Sequence, residues 1–139
     1  MKAYLRLEGL EQYLEELVKA GKDIDRIAEE GLEKGADVFI GGMRRRAPNW
    51  TRIWPFIKKS GMGRDGNKRY IYVGVLRDTP AENARIANVW EFGGPGVTNK
   101  RNRQHRRITA RPYIRPSLRQ DAGKARTAMV EVFQEWLKK

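Results

Sequence analysis

The sequence predicts an α+β fold: a small mixed or antiparallel sheet packed by N-terminal helices and a long C-terminal helix. Three observations predict it. Residues 70 to 75 read YIYVGV, dominated by the β-branched and aromatic types that suit a pleated, half-buried surface. Two segments ahead of them repeat apolar residues at helical spacing. Near the end, Leu118, Ala122, Ala125, Met129, Val132, Phe133 and Trp136 form one more helical stripe. The 139 residues carry no internal repeat or low-complexity tract and suit one domain, residues 1–139.

Taken in order, Ala3, Leu5 and Leu7 alternate with Tyr4, Arg6 and Glu8, the period of a short strand with one buried face. From about residue 9 to 20, Leu10, Leu14, Leu17 and Val18 share a helical face while Glu11, Glu15 and Glu16 face water, and Gly21 is a fitting stop. Asp23 is placed to cap a second helix with the stripe Ile24, Ile27, Ala28, Gly31, Gly35, Val38 and Phe39, and Pro48 bars its continuation. Gly31, Gly35, Gly41 and Gly42 each weaken a helix interior by about 1 kcal/mol against Ala, so close backbone packing on a sheet is expected to compensate. Residues 49 to 66, with Trp50, Trp54, Pro55 and Phe56, read as a loop leading into an irregular strand or short turn.

After Pro80, AENARIANVWEF sets Ala84, Ala87 and Val89 or Trp90 at helical spacing, and Gly93 and Gly94 stop a short helix. Trp90 and Phe92 are expected to bury against the sheet while the paired glycines reverse the chain. In ARPYIRP, Pro112 and Pro116 fix an extended lead-in to the last helix, with Pro116 tolerated in its first turn. Tyr113 and Ile114 can anchor that lead-in, and Arg111 and Arg115 stay available for carboxylates or phosphates.

The formal net charge is +12 and the pI near 10.3, which suits an acidic or phosphate-rich partner. Residues 1 to 39 hold six basic side chains against ten acidic ones, a net of −4, which leaves +16 for the remainder. Such asymmetry suggests two faces with different neighbours. A basic loop is expected near residues 93–108, where Lys100, Arg101, Arg103, Arg106 and Arg107 are candidates for contact with DNA or an acidic partner. A solvated loop with no ligand is the competing reading.

Catalytic chemistry finds little support. Without cysteine there is neither a disulfide nor a thiolate metal site. His105, the one histidine, lies among Arg103, Arg106 and Arg107 with no metal-ligand cluster beside it. Ser60 and Ser117 stand in no nucleophile elbow, and Asp65, Asp78, Glu82 and Glu91 lack the spacing of a carboxylate-metal nuclease. The glycines of GMGRDG and GGPG lack the Lys-Ser/Thr context of a phosphate loop. The expectation is a chain that is not an enzyme and has no catalytic, cofactor or metal site. No apolar run approaches the roughly 20 residues of a membrane helix, and Glu8 falls where a signal peptide needs apolar residues, so a soluble, unexported protein is expected.

The order of an acidic N-terminal helix pair, RRRAP at 44 to 48, YVGV at 72 to 75, WEFGG at 90 to 94, ARPYIRPSL at 110 to 118 and a final helix resembles the head-tail joining, or tail-completion, family of long-tailed bacteriophages. The resemblance spans most of the chain. That family commonly reads R-x-A-P, V-G, E-F-G and A-R-P-F-x-R-P-A-L, so Tyr113 and Ser117 are mild departures. Two larger ones are residues 49 to 52, which lack the usual Thr-Gly, and residues 93–108, longer and more basic than usual. The resemblance implies a noncatalytic virion structural protein at the neck, made in the host cytoplasm and forming a hexameric ring between the head connector or adaptor and the tail tube. It implies a structural or interface role for Trp90, Glu91, Phe92, Arg111, Pro112, Tyr113, Arg115 and Pro116, and a passage in which the basic loop meets packaged DNA nonspecifically. Two alternatives stand beside it: a basic DNA-binding protein outside any virion, and a minor tail protein.

Overall fold

Strand β4 (Lys68–Val75) organises the sheet, because its inward row of Ile71, Val73 and Val75 is buried and both of its edges are paired. The computed structural model describes residues 2–5, 11–49, 52–66, 68–98 and 105–139, so Leu7, Leu10 and Trp50 of the expected pattern lie outside the described residues. β1 (Lys2–Leu5) runs antiparallel along one edge of β4, from Lys2↔Gly74 to Leu5↔Ile71. β2 (Ile57–Lys59) runs antiparallel along the other, and β3 (Gly63–Asp65) continues that edge to Asp65↔Lys68. From Lys59↔Val73 to Gly63↔Tyr70 the edge advances four residues while β4 moves three, so one residue bulges. Ser60 closes the gap: its N–H donates to the Tyr72 carbonyl and its Oγ accepts the Tyr72 N–H, both at 2.9 Å. The segment expected as a loop leading into an irregular strand or short turn holds a 3₁₀ turn (Trp54–Phe56) and a bulged edge strand.

Among the described residues five helices complete the fold: α1 (Glu11–Lys19), α2 (Ile24–Arg46), α3 (Ala81–Phe92), α4 (Ile114–Gln120) and α5 (Ala122–Lys138). The Asp23 carboxylate accepts the Arg26 N–H and caps α2, whose last turn falls just short of Pro48. α2 lies against β4 and β2 on one side and α5 on the other. Ile27, Leu32, Ala36, Phe39, Ile40 and Met43 carry it into the same core as Ile71, Val73, Met129, Val132 and Phe133.

The glycines of α2 seat α5, where the sequence pointed to a sheet. Gly31 lies under Phe133, Gly35 under Met129 and Gly42 under Asp121, an order that makes the two helices antiparallel. A Cβ on Gly31 would stand 2.8 Å from Phe133 Cε1, and one on Gly35 3.0 Å from Met129 Sδ. Residues spaced by four form a helical groove, and the glycines make that groove shallow enough for a neighbouring backbone to approach. The lost helix propensity, about 1 kcal/mol each, is offset by this packing.

α2 also carries Asp25, Glu29, Glu33 and Asp37, one every four residues, against the cations of the sheet. Arg69 reaches Asp25 at 3.5 Å, Arg64 reaches Glu29 at 2.6 Å, and Lys59 lies 2.5 Å from Glu33 and 2.7 Å from Asp37. Burial disfavours the Lys59 ammonium, but the two carboxylates outweigh it and raise its pKa above the ordinary lysine value. Exposed pairs of this kind contribute roughly 0 to 1 kcal/mol each, so their main effect is to align helix and strand. Part of the acidic half is thus neutralised within the fold.

Three expectations need correction. Val18 is 58% exposed, because α1 turns Tyr13 and Leu17 inward and Val18 lies 100° beyond Leu17. The C-terminal helix is broken at Asp121, whose carboxylate is drawn to Arg46 at 2.7 Å and leaves α5 without a side-chain cap. Trp136 is half-buried, with Nε1 donating to Glu30 at 3.0 Å and the Lys139 ammonium 4.4 Å from its ring. Among the described residues no helix is long and apolar enough to cross a membrane.

Candidate functional site

α3 and α4 meet end to start, and one buried carboxylate makes the joint. Along α3 the inward row is Ala84, Ala87 and Glu91, at i, i+3 and i+7, so Glu91 is fully buried. Its Oε2 accepts the N–H groups of Tyr113 at 2.8 Å and Ile114 at 2.9 Å. Its Oε1 accepts the N–H and the Nε–H of Arg115, each at 3.0 Å. Two donors on each oxygen fill the accepting capacity of a carboxylate. The first N–H groups of a helix have no intrahelical partner and carry partial positive charge, so Glu91 caps α4 from another element and complements its dipole.

The surroundings hold Glu91 in that role. Burial, the largest single influence, raises its pKa, but the amides of Ile114, Arg115 and Tyr113 with the Arg115 side chain outweigh it and hold the group below the ordinary glutamate range. The Arg115 Nη2–H also donates to the Glu91 carbonyl at 2.6 Å, and the Arg111 N–H to the Trp90 carbonyl at 2.8 Å. Tyr113 is buried and donates its hydroxyl to the Ala87 carbonyl at 3.0 Å; burial and the Glu91 charge push its pKa up and keep it neutral. WEFGG and ARPYIRP, separate in sequence, are one bonded unit.

A second layer supports α4 from behind. The Ser117 hydroxyl donates to the Tyr113 carbonyl at 2.6 Å and accepts from Arg46 at 2.9 Å. Arg46 also holds Asp121 and donates to Gln120 at 2.9 Å. The hydrogen bond from Arg46 is the main cause of a depressed Asp121 pKa, with the Lys124 and Arg45 charges adding to it.

Two motif residues differ from expectation. Phe92 is 53% exposed, not buried, because Glu91 takes the inward position and the next residue points 100° away. The Arg115 guanidinium lies over its ring at 4.8 Å. Trp90 packs partly buried against the core, and Arg115 is engaged by Glu91 instead of standing fully available. Arg111 and Pro112 are exposed just ahead of α4, and Pro116 sits partly buried in its first turn.

The segment expected as a basic loop is strand-forming at both ends. β5 (Gly94–Thr98) and β6 (His105–Ile108) form an antiparallel ribbon apart from the main sheet, from Gly94↔Ile108 to Thr98↔His105. Gly93 starts it at φ +77°, and a Cβ there would lie 3.0 Å from the Ile108 carbonyl oxygen, so conformation and space both call for glycine. Lys100, Arg101 and Arg103 lie outside the described residues, Arg106 is placed on β6 by its backbone, and Arg107 is exposed. Between Gly93 and Arg126 ten basic residues stand against the single acid Asp121, which is buried and paired.

What this arrangement does is structural: it fixes a helix start and the root of a ribbon. Sequence reasoning missed Arg46, Asp121 and the burial of Glu91. The Ala84, Ala87 and Glu91 spacing was the available signal, since it puts a carboxylate on the small-residue face of α3. Among the described residues no three of His, Cys, Asp and Glu come together as a metal ion would need. Comparisons with protein-family models, curated proteins and solved structures return no match for this chain.

Proposed function

We propose that this chain is a noncatalytic virion structural protein that joins the phage head connector to the tail, as a subunit of a neck ring. The observation that carries the reading is the Glu91 joint. The two motifs most distinctive of the resemblance, WEFGG and ARPYIRP, bind each other through a carboxylate whose four acceptor positions are filled by the chain's own donors. Residues engaged in this way build a shape and leave no free base, the expectation for an assembly protein and not for an enzyme.

The remaining features suit the same reading. The joint roots a basic ribbon, and Arg46 in the last turn of α2, a helix about 34 Å long at 1.5 Å per residue over its 23 residues, holds α4 through Ser117 and Gln120. Subunits of a ring need two different contact surfaces on each copy, and a chain with distinct ends can supply them. In this reading the copies form a hexamer between the head connector or adaptor and the tail tube, and the ribbon faces packaged DNA. The concentration of charge between Gly93 and Arg126 also favours a second reading, a DNA-binding protein outside the virion.

Removing the gene from its phage tests the assignment. The expected products are DNA-filled heads and separate, complete tails, restored to joined particles by supplying the protein. Defective tails would point to a minor tail protein. Normal infectious particles would remove the neck assignment and leave the DNA-binding reading.

A further inference from the structure

The geometry beside α4 points to a use that does not depend on the neck assignment. We infer that the groove formed by Pro112, Arg115, Pro116, Leu118 and Arg119 receives a short acidic segment of a partner protein, seated by one apolar side chain and held by the two arginines. The groove is open and encloses about 490 Å³, room for one aliphatic side chain and adjoining backbone. Its apolar lining comes from Pro112, Pro116 and Leu118, and two of these are proline rings with little freedom left to lose on binding.

The arginines set the sign of the occupant. Arg115 uses Nε and Nη2 on Glu91, so its position is fixed while Nη1 has no partner among the described residues. Arg119 is exposed and has no carboxylate partner among the described residues. The nearby acids cannot compete, because Glu91 and Asp121 are buried and already bonded. The fixed Arg115, with Nη1 left over, and the exposed charge of Arg119 beside an apolar hollow match a carboxylate followed by an aliphatic residue. Nucleic acid fits less well: phosphates need a line of cations and no apolar hollow, and the exposed ring beside the groove, Phe92, has Arg115 over its face. A second copy fits less well, since the acidic row of α2 is engaged by Lys59, Arg64 and Arg69, and the exposed Glu15, Glu16 and Val18 belong to the folded helix α1 and not to an extended segment.

The test uses the full chain and a labelled twelve-residue peptide of Asp and Glu around one Leu, read by fluorescence anisotropy. Replacing the peptide's Leu with Ser should weaken binding about tenfold, the scale of one buried aliphatic side chain. Arg119→Glu should weaken it by about tenfold or more, while Lys138→Glu, the same charge change at the far end of α5, should alter it less than about twofold. Thermal unfolding establishes that both variants fold; were Arg119→Glu unfolded, Arg119→Ala must reproduce the loss. Equal losses in the two variants, or indifference to the Leu, would reduce the effect to net charge and overturn the inference. Displacement of the peptide by duplex DNA would make the surface a phosphate face, and peptide-sensitive self-association in sedimentation would make it a contact between copies; either result overturns the inference as well. Because the readout is on isolated protein, its failure is separate from any failure in particle joining.

Discussion

Glu91 is the residue on which the joint turns, and its substitutions should rank in a definite order. Glu91→Gln keeps the size but sets an amide NH₂ against a group of donors, and should cost roughly 3 kcal/mol. Arg115→Ala removes a half-exposed partner and leaves the three amide bonds in place, so about 1 to 2 kcal/mol is expected. Urea unfolding of the two variants measures both; an Arg115→Ala loss equal to or above that of Glu91→Gln would make the ion pair, and not the cap, the main contribution. The pH dependence has a sign as well. Glu91 holds its proton less tightly folded than unfolded, so its stabilisation is complete above the ordinary carboxylate pKa of about 4.3 and is lost as pH falls through the depressed folded value. Glu91→Gln should therefore flatten the acid limb of stability below about pH 5. Asp121, shifted the same way, keeps part of that limb in the variant.

At the scale of elements, the contact between α2 and α5 is the decisive one, and glycine substitutions separate packing from propensity. Gly123→Ala enters open space in the first turn of α5 and should stabilise by up to about 1 kcal/mol. Gly42→Ala gains the same propensity but runs into the Asp121 carboxylate and Arg46, so it should destabilise by about 1 to 3 kcal/mol. A rise in melting temperature for both would refute the close approach of the helices. On the facing helix, Phe133→Ala should cost about 3 to 5 kcal/mol, and Trp136→Ala, half-buried, roughly half of that. The helices themselves were legible because period 3.6 is written into the stripes of α2, α3 and α5. What lay against them was not: the spacing of Gly31, Gly35 and Gly42 announces a close neighbour without saying whether it is strand or helix. The break at Asp121 was hidden for a similar reason, since it depends on Arg46, a partner 75 residues away. Glu91 was visible as a residue and invisible as a cap, because nothing local to WEFGG tells that the donors come from ARPYIRP.

At the scale of the molecule, charge is distributed unevenly along the chain. The acidic row of α2 meets the cations of the sheet, whereas the stretch from Gly93 to Arg126 has no comparable acid. That excess is what an outside polyanion would meet. Replacing Lys100, Arg101, Arg103, Arg106 and Arg107 together with neutral polar residues should leave thermal unfolding unchanged, because the described root of the ribbon lies at Gly93 and the Glu91 joint. If the ribbon faces DNA, binding of duplex by the assembled protein should weaken, and it should do so without regard to sequence. Every phosphate that the variant no longer neutralises should lower the slope of log affinity against log salt by about 0.9, so the removal of several cations gives a change that titrations between roughly 50 and 200 mM salt resolve. An unchanged slope with failed ring formation would assign the ribbon to a protein interface. An unchanged slope with normal joining would leave a solvated ribbon that contacts neither DNA nor a protein neighbour.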